Sequence, residues 1–168
     1  SRAVGRISSD VNPGIYYLMD VKKNQISPLG RFWSKTSYDS LAKMEVINFK
    51  NRHGDLIQSY FTKAVGKENA PTIVMPHGGP WARDFWGFRP EVQFLAAEGF
   101  NVLQNNIRGS TGYGLKHTAH VFGNFAEVLT DMFDSIEFLD QEGRIDKDQV
   151  CVYGGSYGGY AATQGPMM

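Results

Sequence analysis

Residues 149–160 read Gln149-Val150-Cys151-Val152-Tyr153-Gly154-Gly155-Ser156-Tyr157-Gly158-Gly159-Tyr160, an apolar run that ends in four glycines set around one serine. Gln149 to Tyr153 has the composition of a strand buried on both faces, and the chain from Tyr157 can start a helix. Between them, Gly154-x-Ser156-x-Gly158 has the spacing of a sharp strand-to-helix turn. A Cβ at either flanking position would collide inside such a turn, so glycine is required on both sides. The turn lifts the Ser156 hydroxyl above the sheet edge. It also aims the Tyr157 N–H, at the first turn of the helix, toward developing negative charge. The plainer reading of five residues alone is a glycine-rich loop that happens to hold a serine. The preceding strand, the helix start and Gly159 weigh against it. Ser156 is the candidate nucleophile, with Gly154 and Gly158 as its elbow.

Upstream, His77-Gly78-Gly79-Pro80 follows the apolar run Thr72-Ile73-Val74-Met75. Alone this would be a turn. At the end of an earlier strand, its glycine pair leaves backbone N–H groups free to approach a substrate oxygen, and Gly79 is the candidate second oxyanion donor beside Tyr157. His77 is rejected as a catalytic base and read as holding this loop by hydrogen bonds. His53, in a hairpin turn, and His117 and His120, ahead of a long helix, read as surface residues. Asp131 and Asp134 read as solvated or loop-pinning carboxylates on the polar side of that helix. Cys151 reads as a small buried hydrophobe. Arg108-Gly109-Ser110-Thr111-Gly112-Tyr113-Gly114 superficially resembles a phosphate loop, but lacks the Gly-Lys-Ser/Thr ending and a helix opening on it, which disfavours a nucleotide site.

The elements between these motifs alternate. Met44–Phe49 and Leu56–Phe61 read as a hairpin, Pro90 opens a helix stopped by Gly99, and Phe100–Leu103 reads as a strand. Phe122–Leu139 reads as one helix with Val128, Met132, Ile136 and Leu139 on its apolar stripe. A hairpin followed by strand–helix alternation predicts an α/β sheet. Residues 1–40 read as the single strand Ile15–Met19, a turn at Asn12-Pro13-Gly14, and a linker. The expected division is therefore 1–40 and 41–168.

Composition narrows the class. Lys and Arg together equal Asp and Glu at 17 each, so no net positive field favours nucleic acid or an anionic membrane. A single cysteine in 168 residues excludes an internal disulfide or a thiolate-rich metal site. No apolar run reaches the roughly 18 residues of a spanning helix, and the polar start has no secretory h-region. No metal or organic cofactor is expected, and the compartment stays open.

Together these residues resemble the prolyl oligopeptidase family of serine peptidases, in its acylaminoacyl-peptidase-like and dipeptidyl-peptidase-like branch. The likeness runs through His77–Asp84, Gln93–Ala96 with Gly99-Phe100, Asn106–Gly114, Asp131–Asp134 and Gly154–Tyr160, in the family's order. The resemblance implies an α/β-hydrolase fold, incomplete in this chain, preceded by the end of a β-propeller. It implies Ser156 as nucleophile, Gly79 and Tyr157 as oxyanion donors, and a structural role for the Arg108-Gly109 loop. His77, where some members carry a tyrosine, points to the acylaminoacyl-peptidase-like form. The substrate class implied is short peptides, with a homo-oligomer possible. In such a fold the triad acid and histidine follow the serine, yet every histidine here precedes Ser156. They are expected beyond residue 168, and the 168 residues alone are expected to be an inactive part of a longer chain. Gly165-Pro166 is expected to break the helix after the elbow. An ester hydrolase of the same fold and an inert interaction module are the alternatives.

Overall fold

The computed structural model describes residues 1–33 and 40–164. Two sheets organise them. The first is antiparallel, in the order β1 (Arg2–Ser9), β2 (Asn12–Asp20), β3 (Gln25–Arg31). The single strand expected here is therefore three. Neither Arg2–Ser9 nor the Pro28- and Gly30-bearing β3 has a strong strand pattern of its own, and both are ordered by pairing with β2. Pro28 lies on an edge strand opposite Tyr17, where the register shifts, as proline requires. The turn also moves. Ser9 pairs with Asn12, and the Ser9 hydroxyl accepts the Val11 N–H at 3.2 Å. The turn is thus at Asp10-Val11, and Asn12-Pro13-Gly14 lies inside β2.

The second sheet has the order β4 (Met44–Lys50), β5 (Leu56–Thr62), β7 (Asn101–Asn106), β6 (Thr72–Val74), β8 (Val150–Val152). β4 to β5 and β5 to β7 are antiparallel, whereas β7, β6 and β8 are mutually parallel. The expected mixed α/β architecture is present. Among the described residues four α-helices accompany it: α1 (Pro90–Ala97), α2 (Leu115–Ala119), α3 (Thr130–Gln141) and α4 (Tyr157–Gln164). The main core joins one face of the sheet (Phe61, Val74, Leu103) to Val128, Met132, Leu139 and Ala161. α1 starts with Pro90 at its first turn, buries Val92 and Ala96, and ends ahead of Gly99 at φ 87°, as its sequence required.

Three local readings need correction. The helix expected over Phe122–Leu139 begins only at Thr130, after a 3-10 turn over Glu127–Leu129. Gly123 adopts φ 79° and the Asn124 side chain donates to the His120 carbonyl, so helical geometry is lost before the stripe begins. β8 is not buried on both faces, and Cys151 is exposed, because β8 pairs only with β6 among the described residues. β7 runs on to Asn106 because its polar end keeps its pairing with Tyr60, Ser59 and Gln58 of β5, and Asn105 donates to Ser135 at 2.6 Å and Asn106 to the Tyr113 hydroxyl at 2.9 Å. Gly165-Pro166 and residues 34–39 lie outside the described residues.

Asp131 is fully buried rather than solvated. It accepts the Arg108 N–H at 2.8 Å and the Arg108 guanidinium at 2.9 Å, with Asn51 Nδ2 at 2.8 Å. Asp134 accepts the Arg52 N–H and guanidinium. Both are loop-pinning carboxylates. Burial lowers the Arg108 pKa, but bonds to Asp131 and charge on Asp131 and Glu127 more than reverse this, leaving it raised. The buried Arg108 therefore keeps its charge and depends on its partner. Asp131→Ala strands that cation and should destabilise the fold by about 3–5 kcal/mol, read as a lower urea midpoint.

Candidate active site

Because β7, β6 and β8 run parallel and side by side, their carboxyl ends share one edge of the sheet. The loop from Ile107, the His77 loop and the serine turn emerge there together. Three motifs separated by up to 79 positions (77 to 156) in sequence become neighbours through strand order alone.

Ser156 adopts φ 55°. The other non-glycine residues at positive φ among those described are Asn24 and Asn69, a residue type that tolerates the left-handed region locally, whereas serine pays for it. The strain is held by close packing on both sides. A Cβ on Gly154 would lie 2.8 Å from the Gly158 carbonyl carbon, and one on Gly158 would land on the Pro76 carbonyl oxygen. Neither position has room for a Cβ, Gly154 within the turn and Gly158 against the segment after β6. Ser156 itself is exposed, while Tyr157 is buried and donates its hydroxyl to the Phe125 carbonyl at 2.8 Å. Desolvation raises the Tyr157 pKa, so the phenol stays protonated.

The glycine loop lies against this turn. A Cβ built on Gly78 would lie 3.6 Å from Ser156 Cβ. Gly79 adopts φ 123° and is exposed. Among the described residues, no hydrogen bond engages the Gly79 N–H or the Tyr157 N–H. His77 uses both ring nitrogens locally: Nδ1 is 2.7 Å from the Gly78 carbonyl oxygen and Nε2 is 2.8 Å from Ser110 Oγ. It holds the loop, as expected.

Of the other histidines, His53 is exposed as expected. His117 and His120 are half-buried instead. His117 Nε2 lies 3.0 Å from the Ile107 carbonyl, and burial lowers its pKa against the effect of that bond. His120 Nε2 is 2.8 Å from Arg108. The sheet brings both onto the Arg108 loop, which their positions in sequence did not reveal.

A second set of polar residues lies beside the glycine loop. Asp84, buried, donates its N–H to Asn106 Oδ1 at 2.8 Å and binds Arg89 through its carboxylate. Burial raises the Asp84 pKa, opposed by Arg89 and His77. Arg83 lies between the rings of Phe85 and Tyr113. Sequence reasoning passed over Ser110 and Asn106; the only signal for either was its place in the motif Asn106–Gly114. An exposed aromatic group, Trp81 with Phe122 and Phe125, continues to Tyr157. Among the described residues no group of His, Cys, Asp and Glu has metal-site geometry.

Comparison with known proteins places this architecture. The chain has the fold of the α/β-hydrolase part of large hydrolases. It superposes on puromycin hydrolase with TM-score 0.82 at 25% identity, covering 96% of this chain and 26% of that one. It also superposes on Pyrococcus horikoshii acylaminoacyl peptidase with TM-score 0.75 at 27% identity, over 96% and 26%. The description of the prolyl oligopeptidase family matches residues 86–164. The resemblance carried by the motifs is borne out. Dipeptidyl aminopeptidase BIII of Pseudoxanthomonas mexicana is 34% identical over 163 residues, 91% of this chain and 24% of that protein. The acylamino-acid-releasing enzyme of Homo sapiens is 36% identical over 95 residues, 56% of this chain and 13% of that protein. The chain thus spans about a quarter of the length of the first relative and less of the second.

Proposed function

We propose that the chain carries the nucleophile and oxyanion part of a serine peptidase acting on short peptides. The observation that carries this reading is the left-handed Ser156, exposed between Gly154 and Gly158 and flanked by Gly78. Ser156 Oγ attacks the scissile carbonyl carbon while a histidine takes its proton. The tetrahedral oxyanion is held by the Gly79 and Tyr157 N–H groups, which are unengaged among the described residues. The C–N bond then breaks, the amine leaves with that proton, and water hydrolyses the acyl-serine. In the chain order that the resemblance implies, the histidine and its carboxylate follow Ser156 and are sought beyond residue 168; His77 is held within its own loop.

In the same reading residues 1–40 form the end of a β-propeller and residues 41–168 the start of the catalytic domain. Support comes from the three consecutive antiparallel strands of the first sheet, separate from the second. The test is an assay of the complete protein on an aminoacyl-nitroanilide against a nitrophenyl ester, with fluorophosphonate labelling alongside. Amide turnover with labelling supports the peptidase; ester turnover alone shifts the reading to an esterase. No labelling and no turnover would make the fold an inert interaction module.

A further inference from the structure

Ser110 is fully buried where the chain leaves β7. Its Oγ lies 2.8 Å from His77 Nε2 and 2.7 Å from the Ile107 carbonyl oxygen. On the other side of the ring, His77 Nδ1 is 2.7 Å from the Gly78 carbonyl oxygen. A carbonyl oxygen only accepts, so Nδ1 carries a proton in either charge state of the ring. Nε2 is then bare in the neutral ring and protonated in the cation.

A serine hydroxyl has one proton, two lone pairs and a free torsion. Facing a bare Nε2, the Ser110 hydroxyl donates to the ring. Facing an Nε2–H, it accepts and turns its proton to the Ile107 carbonyl. That carbonyl keeps partners in either arrangement, because the Ser110 N–H at 2.9 Å and His77-independent His117 Nε2 at 3.0 Å also reach it. The ring is therefore held in both charge states.

What the ring holds is the Gly78–Gly79 peptide. That peptide is trans, so its N–H points opposite to its C=O. A ring that fixes the Gly78 carbonyl also fixes the direction of the Gly79 N–H. We propose that Ser110 is a positioning residue for hydrolysis, whose rotating hydroxyl keeps His77, and through it the Gly79 oxyanion donor, in place whether His77 is neutral or charged. This rests on the reading of Gly79 as an oxyanion donor to the Ser156 reaction.

The other groups facing His77 do not replace it. Asp84 and Arg89, paired with each other, line the same cavity of about 260 Å³, with Glu91 of α1 and Tyr153 beyond β8. Tyr153 donates to Glu91 at 2.8 Å. Among the described residues, Ser110 is the partner of Nε2.

The experiment measures kcat and KM of the complete protein on an aminoacyl-nitroanilide across pH, for wild type, Ser110→Ala, Ser110→Thr and Ser156→Ala. Ser110→Ala should lower kcat about tenfold with KM within about twofold, since the lost interaction serves the transition state. The deficit should widen on the acid side, where the charged ring would bury an Nε2–H without an acceptor. Ser110→Thr, which keeps the hydroxyl, should restore the wild-type pH profile. If the alanine variant does not fold, Ser110→Cys, similar in volume but a weak hydrogen bonder, should show the same acid-side deficit. With Ser156→Ala inactive, no deficit or one equal at every pH overturns the proposal alone. Activity surviving in Ser156→Ala overturns the nucleophile reading and this proposal with it.

Discussion

Ser156→Ala in the complete protein should lose peptide turnover by at least about a thousandfold, the scale of removing a triad serine, while its urea midpoint stays near wild type. The two halves of the expectation have separate causes. Turnover falls because the proposed nucleophilic hydroxyl is removed, and the neighbouring Tyr153 hydroxyl is bonded to Glu91 instead. Stability holds because Ser156 is exposed and supports no core packing. Alanine also has to adopt φ 55°, as serine does, so the backbone strain is carried over rather than introduced. Steady-state hydrolysis of an aminoacyl-nitroanilide, with urea unfolding on the same preparation, checks both. Near-wild-type turnover in that variant would remove Ser156 from the mechanism.

Gly158→Val should do worse than abolish catalysis. A Cβ at 158 lands on the Pro76 carbonyl oxygen, which is backbone and cannot swing aside as a side-chain tip would. Relief requires α4 to separate from the segment joining β6 to the His77 loop, opening the core around Tyr157 and Ala161. Forced overpacking of this kind costs about 1–3 kcal/mol or more, and branching at Cβ adds a helix penalty. Soluble yield, urea midpoint and turnover should all fall. Gly155→Ala makes the control, since a Cβ there meets nothing within 4 Å, and it should express as wild type does. Wild-type solubility and activity for Gly158→Val would show that the elbow is not packed against Pro76.

The polar end of β7 and the helix start at Thr130 show where local reading ran out. Gln104-Asn105-Asn106 has the composition of a loop, and pairing with Tyr60, Ser59 and Gln58 of β5 makes it a strand, with Ser135 and Tyr113 holding the asparagine side chains. Phe122 and Phe125 extend a plausible helical spacing toward the chain start. They are instead exposed against Trp81, and the helix waits for residues that reach the core. Asp131 looked like any carboxylate on a polar helix face. Its burial follows from the Arg108 loop and Asn51 converging on it from the far ends of two strands.

What the sequence determined by itself is the serine turn, the glycine loop and the hairpin before them. Each answers to constraints within a few residues: alternation along a strand, proline at a helix start, or the Gly154 backbone meeting Gly158 four positions on. Tertiary structure decided which of these pieces touch. The order β7-β6-β8 places Ser110 on His77, 33 positions away, and Gly78 on Ser156, 78 positions away. It also determines that β1 and β3 are strands at all, through pairing with β2. Hydrogen bonds between distant segments depend on strand neighbours and register, and hydrophobic periodicity along one segment carries no record of its neighbour.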